Sequence, residues 1–422
     1  MKKTLLSILF LCLTLMTGNI FAQDTKGKED KKIVLTISGE FDAAIKNYSN
    51  DRFATPKGPE TEHSATARIP SFDVNMQYQF APKWKATADV EFVSESNIQV
   101  DEISLTREFT PTFNIKAGMF ILPIGHCNNG YTYLDYFTAG DPEGEYALIP
   151  CPFIETGVSL LGKLKCGLSY QASFTTALTP LKYSAQYWTQ YATQGFFKDD
   201  SFFSSPAISL NLGYDGIRNM RFGAGIYYCT NTARNMSLYS GYKEYCLKNF
   251  NKTQSVPVTI LFADGQYQND YFTARASYMQ GFMGGTYQLT SYYRSLLNNI
   301  DREFNGEELE YVKGAIGKQV ISYMGEVGVN IKNCFYKESK GPELIPFVHY
   351  ECYDSEEKVA SELCELRNPC SKVSLWSFGI NWKAIENIAV KSSYITRRIG
   401  RGSDTMNNAN EFALALAYSF DF

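Results

Sequence analysis

The chain has 422 residues, with 29 Tyr and 29 Phe against only 4 Trp, and a formal net charge of −4, which does not suit a nucleic-acid partner. Its mean hydropathy is negative, and no apolar run reaches the roughly twenty residues that a membrane helix needs. Any membrane role must therefore use strands, whose apolar face is diluted by a polar one.

Lys2 and Lys3 precede an apolar run from Leu5 to Leu15, and "TGNIFAQ" follows with a small residue at Ala22. This is the pattern of a secretory signal peptide over residues 1–22, cut after Ala22. Its removal takes the charge to about −6. A short charged leader, "QDTKGKEDKK" at 23–32, leads into a single domain over 33–422.

That domain alternates with period two. In "FDVNMQYQF", Phe72, Val74, Met76, Tyr78 and Phe80 interleave with Asp73, Asn75, Gln77 and Gln79, one row for each face of a strand. After "APKWK", the residues Trp84, Ala86, Ala88, Val90 and Phe92 alternate with Lys85, Thr87, Asp89 and Glu91, so the two stretches read as a hairpin. The same reading places strands at 33–46, 68–80, 84–94, 98–109, 113–121, 155–162, 166–176 and 205–214. It continues with 218–229, 255–266, 271–283, 319–332, 343–353, 371–383, 386–398 and 410–422. Each is close to the roughly ten residues that a tilted membrane strand requires.

Connections alternate in length as well. Short turns such as "TPT", "GKLK", "DGIR" and "KAIEN" follow even-numbered strands, and long polar segments such as 122–154, 177–204, 230–254 and 284–318 follow odd-numbered ones. "SESN" after the third strand is short for its class, and "NCFYKESKGPE" after the twelfth is long for its own. The pattern predicts an all-β protein: a transmembrane antiparallel β-barrel of about 16 strands, with long surface loops and short periplasmic turns. Closure is the physical reason, because every backbone amide in hydrocarbon needs a partner and a closed sheet leaves no edge. A soluble β-sandwich also alternates, but strands with their apolar face outward would aggregate in water. The final strand, "EFALALAYSFDF", is expected to close the ring by pairing with 33–46.

Nine cysteines follow the signal segment, an odd number, so at least one stays unpaired. Cys364 with Cys370, and Cys229 with Cys246, are close enough in sequence to close loops, while the spacings match no zinc pattern. No metal site and no cofactor motif is expected; "GAIGKQV" lacks the spacing and the hydroxyl of a phosphate-binding loop.

"LTREFTPTFNIKAGMFILPIG", residues 105–125, resembles the phosphate-selective porin O and P family of outer-membrane channels, with Gly118, Pro123 and Gly125 at the family's positions. "FIETGVSLLGKLKCGLSYQASF", residues 153–174, is similar to the strand pair that follows the family's third surface loop, with Gly157 and Gly162 in place. The resemblance implies a passive, homotrimeric channel whose third loop folds into the lumen as a constriction. Its partners would be outer-membrane lipid, small solutes and the barrel-insertion machinery, which reads a terminal strand ending on an aromatic such as Phe422. Phosphate-selective members line the pore with Arg and Lys.

Here the chain departs from the family. Between His126 and Cys151 there is no Lys or Arg, whereas Asp135, Asp141, Glu143 and Glu145 stand among Tyr131, Tyr133, Tyr136, Phe137 and Tyr146. If the apolar rows face lipid, the lumen row includes Lys85, Lys116, Arg221, Arg275, Lys391 and Arg397. It also includes Asp73, Asp89, Glu91, Glu102, Glu108, Glu326 and Glu351. The expected function is a diffusion porin in the outer membrane for small hydrophilic solutes and ions, weakly selective or leaning toward cations and neutral solutes. A barrel for a specific or hydrophobic ligand is the first alternative and a barrel hydrolase the second. "IGHCNNG" at 124–130 faintly resembles the His-x-Ser-Asn-Gly stretch of outer-membrane phospholipases, but Asn128 occupies the nucleophile position and Cys127 adjoins the His without the needed spacing.

Overall fold

The computed structural model describes residues 32–47, 64–93, 97–130, 132–193, 203–235, 254–294, 314–335, 341–402 and 406–422. The signal segment 1–22, all but the last residue of the leader, His63, Tyr131 and Cys246 lie outside the described residues.

Period-two alternation becomes sixteen strands: β1 (Lys32–Lys46), β2 (Ser64–Ala81), β3 (Trp84–Val93), β4 (Asn97–Thr110), β5 (Phe113–Ile121), β6 (Ile154–Lys163), β7 (Leu168–Thr175) and β8 (Ala207–Tyr214). They continue as β9 (Met220–Cys229), β10 (Val258–Gln268), β11 (Phe272–Met283), β12 (Gln319–Val329), β13 (Glu343–Lys358), β14 (Lys372–Ile385), β15 (Ile388–Ile399) and β16 (Met406–Asp421). Each strand pairs antiparallel with its neighbours in sequence, and β1 pairs with β16 to close the barrel. The seam runs from Thr36 opposite Asp421 to Lys46 opposite Glu411. Three strands outrun their sequence reading. β2 starts at Ser64, β16 at Met406, and β13 continues to Lys358 through "DSEEK", a polar stretch whose ladder partners, not its pattern, make it a strand.

Side-chain exposure confirms which row faces out. In β16, Phe412, Leu414 and Leu416 are 44%, 45% and 41% exposed, while Ala413, Ala415 and Ala417 are at most 3% exposed. Outward aromatics gather near the short-turn end, where Tyr78, Phe80 and Trp84 form a chain of ring contacts and Phe109 meets Phe113. Arg107 lies 5.1 Å above the Trp84 ring, which lets a cation sit on the outer wall at its polar edge.

The interior is divided. On the β6–β12 side the inner rows are apolar near the long-loop end (Tyr227, Val258, Ile260, Phe262, Met279, Met283 and Val320) and pack against Leu148, Leu178, Trp188, Leu289 and Ile316 from the long loops. Trp188 is fully buried, its Nε1 donating to the Gly317 carbonyl at 3.0 Å, and its ring fills the space over Gly281. Along β2–β5 the inner row is mostly polar, and Asp73, Gln77, Lys85, Glu91, Glu102 and Lys116 stay partly exposed, so the open part of the lumen lies against these strands.

Candidate functional site

Loop 122–153 starts in a neck held by the residues that resembled a hydrolase motif. Cys127 and Cys151 form a disulfide across 24 residues of chain. Asn128 Nδ2 donates to the Ile124 and Pro150 carbonyls, both at 2.9 Å, and its Oδ1 accepts from Phe153 N at 2.8 Å. Gly125 has φ +81°, and a β-carbon there would come within 2.8 Å of the Glu145 carboxylate, which accounts for a glycine after Pro123. Cys127 is thus committed to a crosslink and Asn128 to backbone carbonyls and an amide. Cys229 and Cys364, the thiols singled out with Cys246 and Cys370, are not in disulfides.

From this neck the loop crosses the barrel, touching inward-facing residues around most of the wall. Asn211 on β8 donates to the Pro123 carbonyl at 2.7 Å and Arg221 on β9 to the Asn129 carbonyl at 3.2 Å. On the far side the Tyr133 hydroxyl bonds Ser71 of β2, and the Tyr133 carbonyl accepts from Lys391 of β15, whose Nζ also reaches Glu40 at 3.5 Å. Asn381 donates to the Tyr136 carbonyl at 3.4 Å, and Ser393 accepts from Ala139 N at 2.9 Å. A segment bonded to β2, β8, β9, β14 and β15 at once can only lie within the ring.

The short helix Glu143–Tyr146 docks on β12 and β13, and the Glu351 carboxylate of β13 takes its first amides. Glu351 accepts from Glu143 N at 3.2 Å and Gly144 N at 2.7 Å. His349 stands between two acids, Nε2 at 2.6 Å from Glu351 and Nδ1 at 3.2 Å from Glu326, and Arg275 pairs with Glu326 in turn. The Arg275 guanidinium lies 5.0 Å over Phe137, which stacks on Phe347 at 5.8 Å. Packing is close at Gly144, where a β-carbon would meet the Ser322 hydroxyl and come within 3.2 Å of the Glu351 carboxylate.

The loop's acids have separate fates. Asp135 accepts from Thr132 N and Oγ1 and shapes the loop tip. Glu143 bonds Arg397 and accepts from the Tyr353 hydroxyl at 3.2 Å, while Arg397 also pairs with Glu411 at 2.9 Å. Asp141 lines a cavity of about 360 Å³ at the long-loop end together with Asp42, Lys46, Arg68 and Glu411. Glu145 turns into the loop's own base, accepting from Cys127 N at 2.9 Å, and burial pushes its carboxyl up to about 7. Burial also lowers the His126 imidazole to about 3, so it is neutral at physiological pH.

The wall residues divide in the same way. Arg275, Glu326, Lys391 and Arg397 are buried beneath the loop. Lys85, Asp89, Glu91 and Lys116 stay in the polar part of the lumen. There Lys116 pairs with Glu102 at 2.8 Å, Lys85 donates to Gln77 at 3.3 Å, and Asn75 donates to Asp89 at 2.8 Å. Arg221 lines a second cavity of about 410 Å³, at the short-turn end, with Asn114, Asn129, Gln171 and Asn211.

Asp73, Glu91 and Asp101 hold carboxylate oxygens within 4.8 Å of one another, and among the described residues no ion pair joins a Lys or Arg to any of them. Such a cluster offers the oxygen ligands that hard cations take. Strict alternation misses Asp101 because the β3–β4 register shifts between Asp89 and Val90, a bulge that turns an extra residue inward. The shared role of His349 and Glu351 also escapes the sequence, since loop and wall are 207 residues apart at Gly144 and Glu351.

No protein-family model matches the chain, and no curated protein matches it. Solved structures do. The outer-membrane channel DcaP of Acinetobacter baumannii is 12% identical at a TM-score of 0.54, covering 94% of this chain and 100% of its own. OprB of Pseudomonas putida is 9% identical at 0.55, with 92% and 94% covered. The anion-selective porin from Comamonas acidovorans is 9% identical at 0.50, with 93% and 100% covered. At these identities the likeness speaks to architecture alone, and the architecture is the outer-membrane β-barrel.

Proposed function

We propose that this protein is a porin, a passive diffusion channel of the outer membrane for small hydrophilic solutes, with a lean toward cations over anions. The observation that carries the reading is a loop laid across the lumen with a cavity on either side of it, next to a wall where Asp73, Glu91 and Asp101 lack a counter-cation among the described residues. Asp135, Asp141 and Glu143, with Tyr133, form the loop side of the constriction, and Lys85, Asp89, Glu91 and Lys116 the wall side. Tyr136, Glu145, Arg275, Glu326, Lys391 and Arg397 hold the loop in place, and Arg221 flanks the short-turn cavity. The likeness to phosphate-selective porins extends, in this reading, to scaffold and loop but not to phosphate selection, because acids replace the cations that selection requires.

The short turns face the periplasm, the mature chain begins after Ala22, and β16 with its terminal aromatic is the strand offered to the insertion machinery. Three copies assemble in the membrane, consistent with the tendency of oligomers to closed cyclic symmetry. The reading assigns no hydrolase chemistry to "IGHCNNG", where Cys127 is disulfide-bonded and Asn128 has no nucleophilic atom.

Planar-bilayer recording under a salt gradient tests the proposal. We expect stepwise current and a reversal potential displaced to the cation side. Absence of current would sink the channel reading, and an anion-side reversal potential would sink the selectivity.

A further inference from the structure

On the outer wall, toward the long-loop end of β12–β15, lies a pocket of about 370 Å³ that no part of the channel reading uses. Its floor is one transverse row of outward side chains, Tyr323 opposite Cys352, Cys352 opposite Ser374 and Ser374 opposite Arg398. Lys372, two residues along β14 from Ser374, completes it, and no carboxylate is among its lining residues. Arg401 at its edge already pairs with Asp354. Lys372 and Arg398 are exposed and form no ion pair among the described residues. Diagonal neighbours on adjacent strands stand about 7–8 Å apart, a spacing at which two long cationic side chains converge on one anion.

Directly below, toward the middle of the wall, the outward face is dented. Phe222, Gly265, Ala276, Gly325, Tyr350 and Trp376 follow one another across β9–β14 in register, so a run of residues with little or no side chain lies between aromatic banks. The trench measures about 560 Å³ and is almost wholly apolar, and Tyr350 lines both it and the basic pocket. An anion site that opens onto an apolar trench at the edge of the lipid belt has the chemistry of a phosphorylated lipid, head above and acyl chain below.

We infer that this face binds one phosphorylated lipid of the outer leaflet, with its phosphate between Lys372 and Arg398 and an acyl chain along Gly265, Ala276 and Gly325. The inference shares with the channel reading only the assignment of the long-loop end to the cell exterior.

Native mass spectrometry on the purified full-length barrel in detergent tests it, with lipid A, lipid A stripped of its phosphates, and inorganic phosphate as the three probes. Variants are Lys372→Ala with Arg398→Ala, and Gly325→Leu to fill the trench; retained bilayer conductance serves as the control for folding. We expect lipid A to remain bound to the wild type, to bind at least tenfold more weakly to the double variant, and to lose affinity in Gly325→Leu. Equal retention of the intact and dephosphorylated lipids, or no loss in the double variant, would overturn the site. Inorganic phosphate binding as tightly as lipid A would overturn the lipid assignment.

Discussion

Glu351 accepts two backbone amides of the loop helix and a ring nitrogen of His349, so one side chain carries much of the loop's attachment to the wall. Glu351→Ala would strand a buried imidazole and two amides. We expect a loss of about 3–5 kcal/mol in unfolding studies, with flickering, larger conductance in bilayers. The proposed cation preference rests on other residues: Asp73→Asn, Glu91→Gln and Asp101→Asn together should move the reversal potential toward zero or the anion side while leaving the barrel folded. Two loop residues give the loop a pH dependence with opposite signs. Glu145, raised from 4.5 to about 7, keeps its proton in the folded loop while the unfolded chain loses it, so its contribution to stability declines between those values and stays lost above them. His126, lowered from 6.5 to about 3, binds a proton only when unfolded, so its contribution declines as pH falls from 6.5 to 3. The two slopes oppose each other between 4.5 and 6.5. In Glu145→Gln the opposing slope of Glu145 should be gone, so protection of the 126–153 amides in hydrogen exchange should rise more steeply with pH up to 6.5 than in the wild type.

At the scale of elements, the loop 122–153 is fastened at its neck and again at its tip. Mutating Cys127 and Cys151 to Ser should lower stability by about 2–4 kcal/mol and broaden the distribution of single-channel conductance, because the tip contacts persist while the neck loosens. Trp188→Ala removes the ring that wedges the plug of loops against Gly281. A cost of about 3–5 kcal/mol is expected in thermal unfolding, with a wider pore by polymer exclusion. All sixteen strands were legible from alternation, since lipid outside and water inside impose opposite demands on successive residues. Alternation fails at "VTILF" in β10, where Val258, Ile260 and Phe262 are apolar on the inner row because loops, not water, lie against them. Runs with both rows apolar therefore mark the plugged side, a signal that sequence reading treated only as strand. The acidity of the loop was equally legible. Which acids meet water was not: Glu143 and Glu145 are placed by Arg397 and Cys127 N, and the first of these partners is 254 residues away.

For the whole molecule, closure between β1 and β16 is the condition for stability in lipid. Deleting 411–422 would expose two unpaired edges, on β1 and β15, and we expect no folded barrel, read as loss of the heat-modifiable band on gels. The division of the interior makes the remaining open space eccentric, lying against β2–β5 beside Tyr133 and the loop tip. The loop bridges β8 and β9 on one side to β2 on the other and to β12–β15 between them, so its contacts triangulate the ring. A hollow cylinder squeezed from its flanks ovalises by letting opposite walls approach and the remaining diameters lengthen. A strut fixed at three well-separated bearings opposes both motions, and the loop is thereby also a truss that keeps the cross-section round against the lateral pressure of the bilayer.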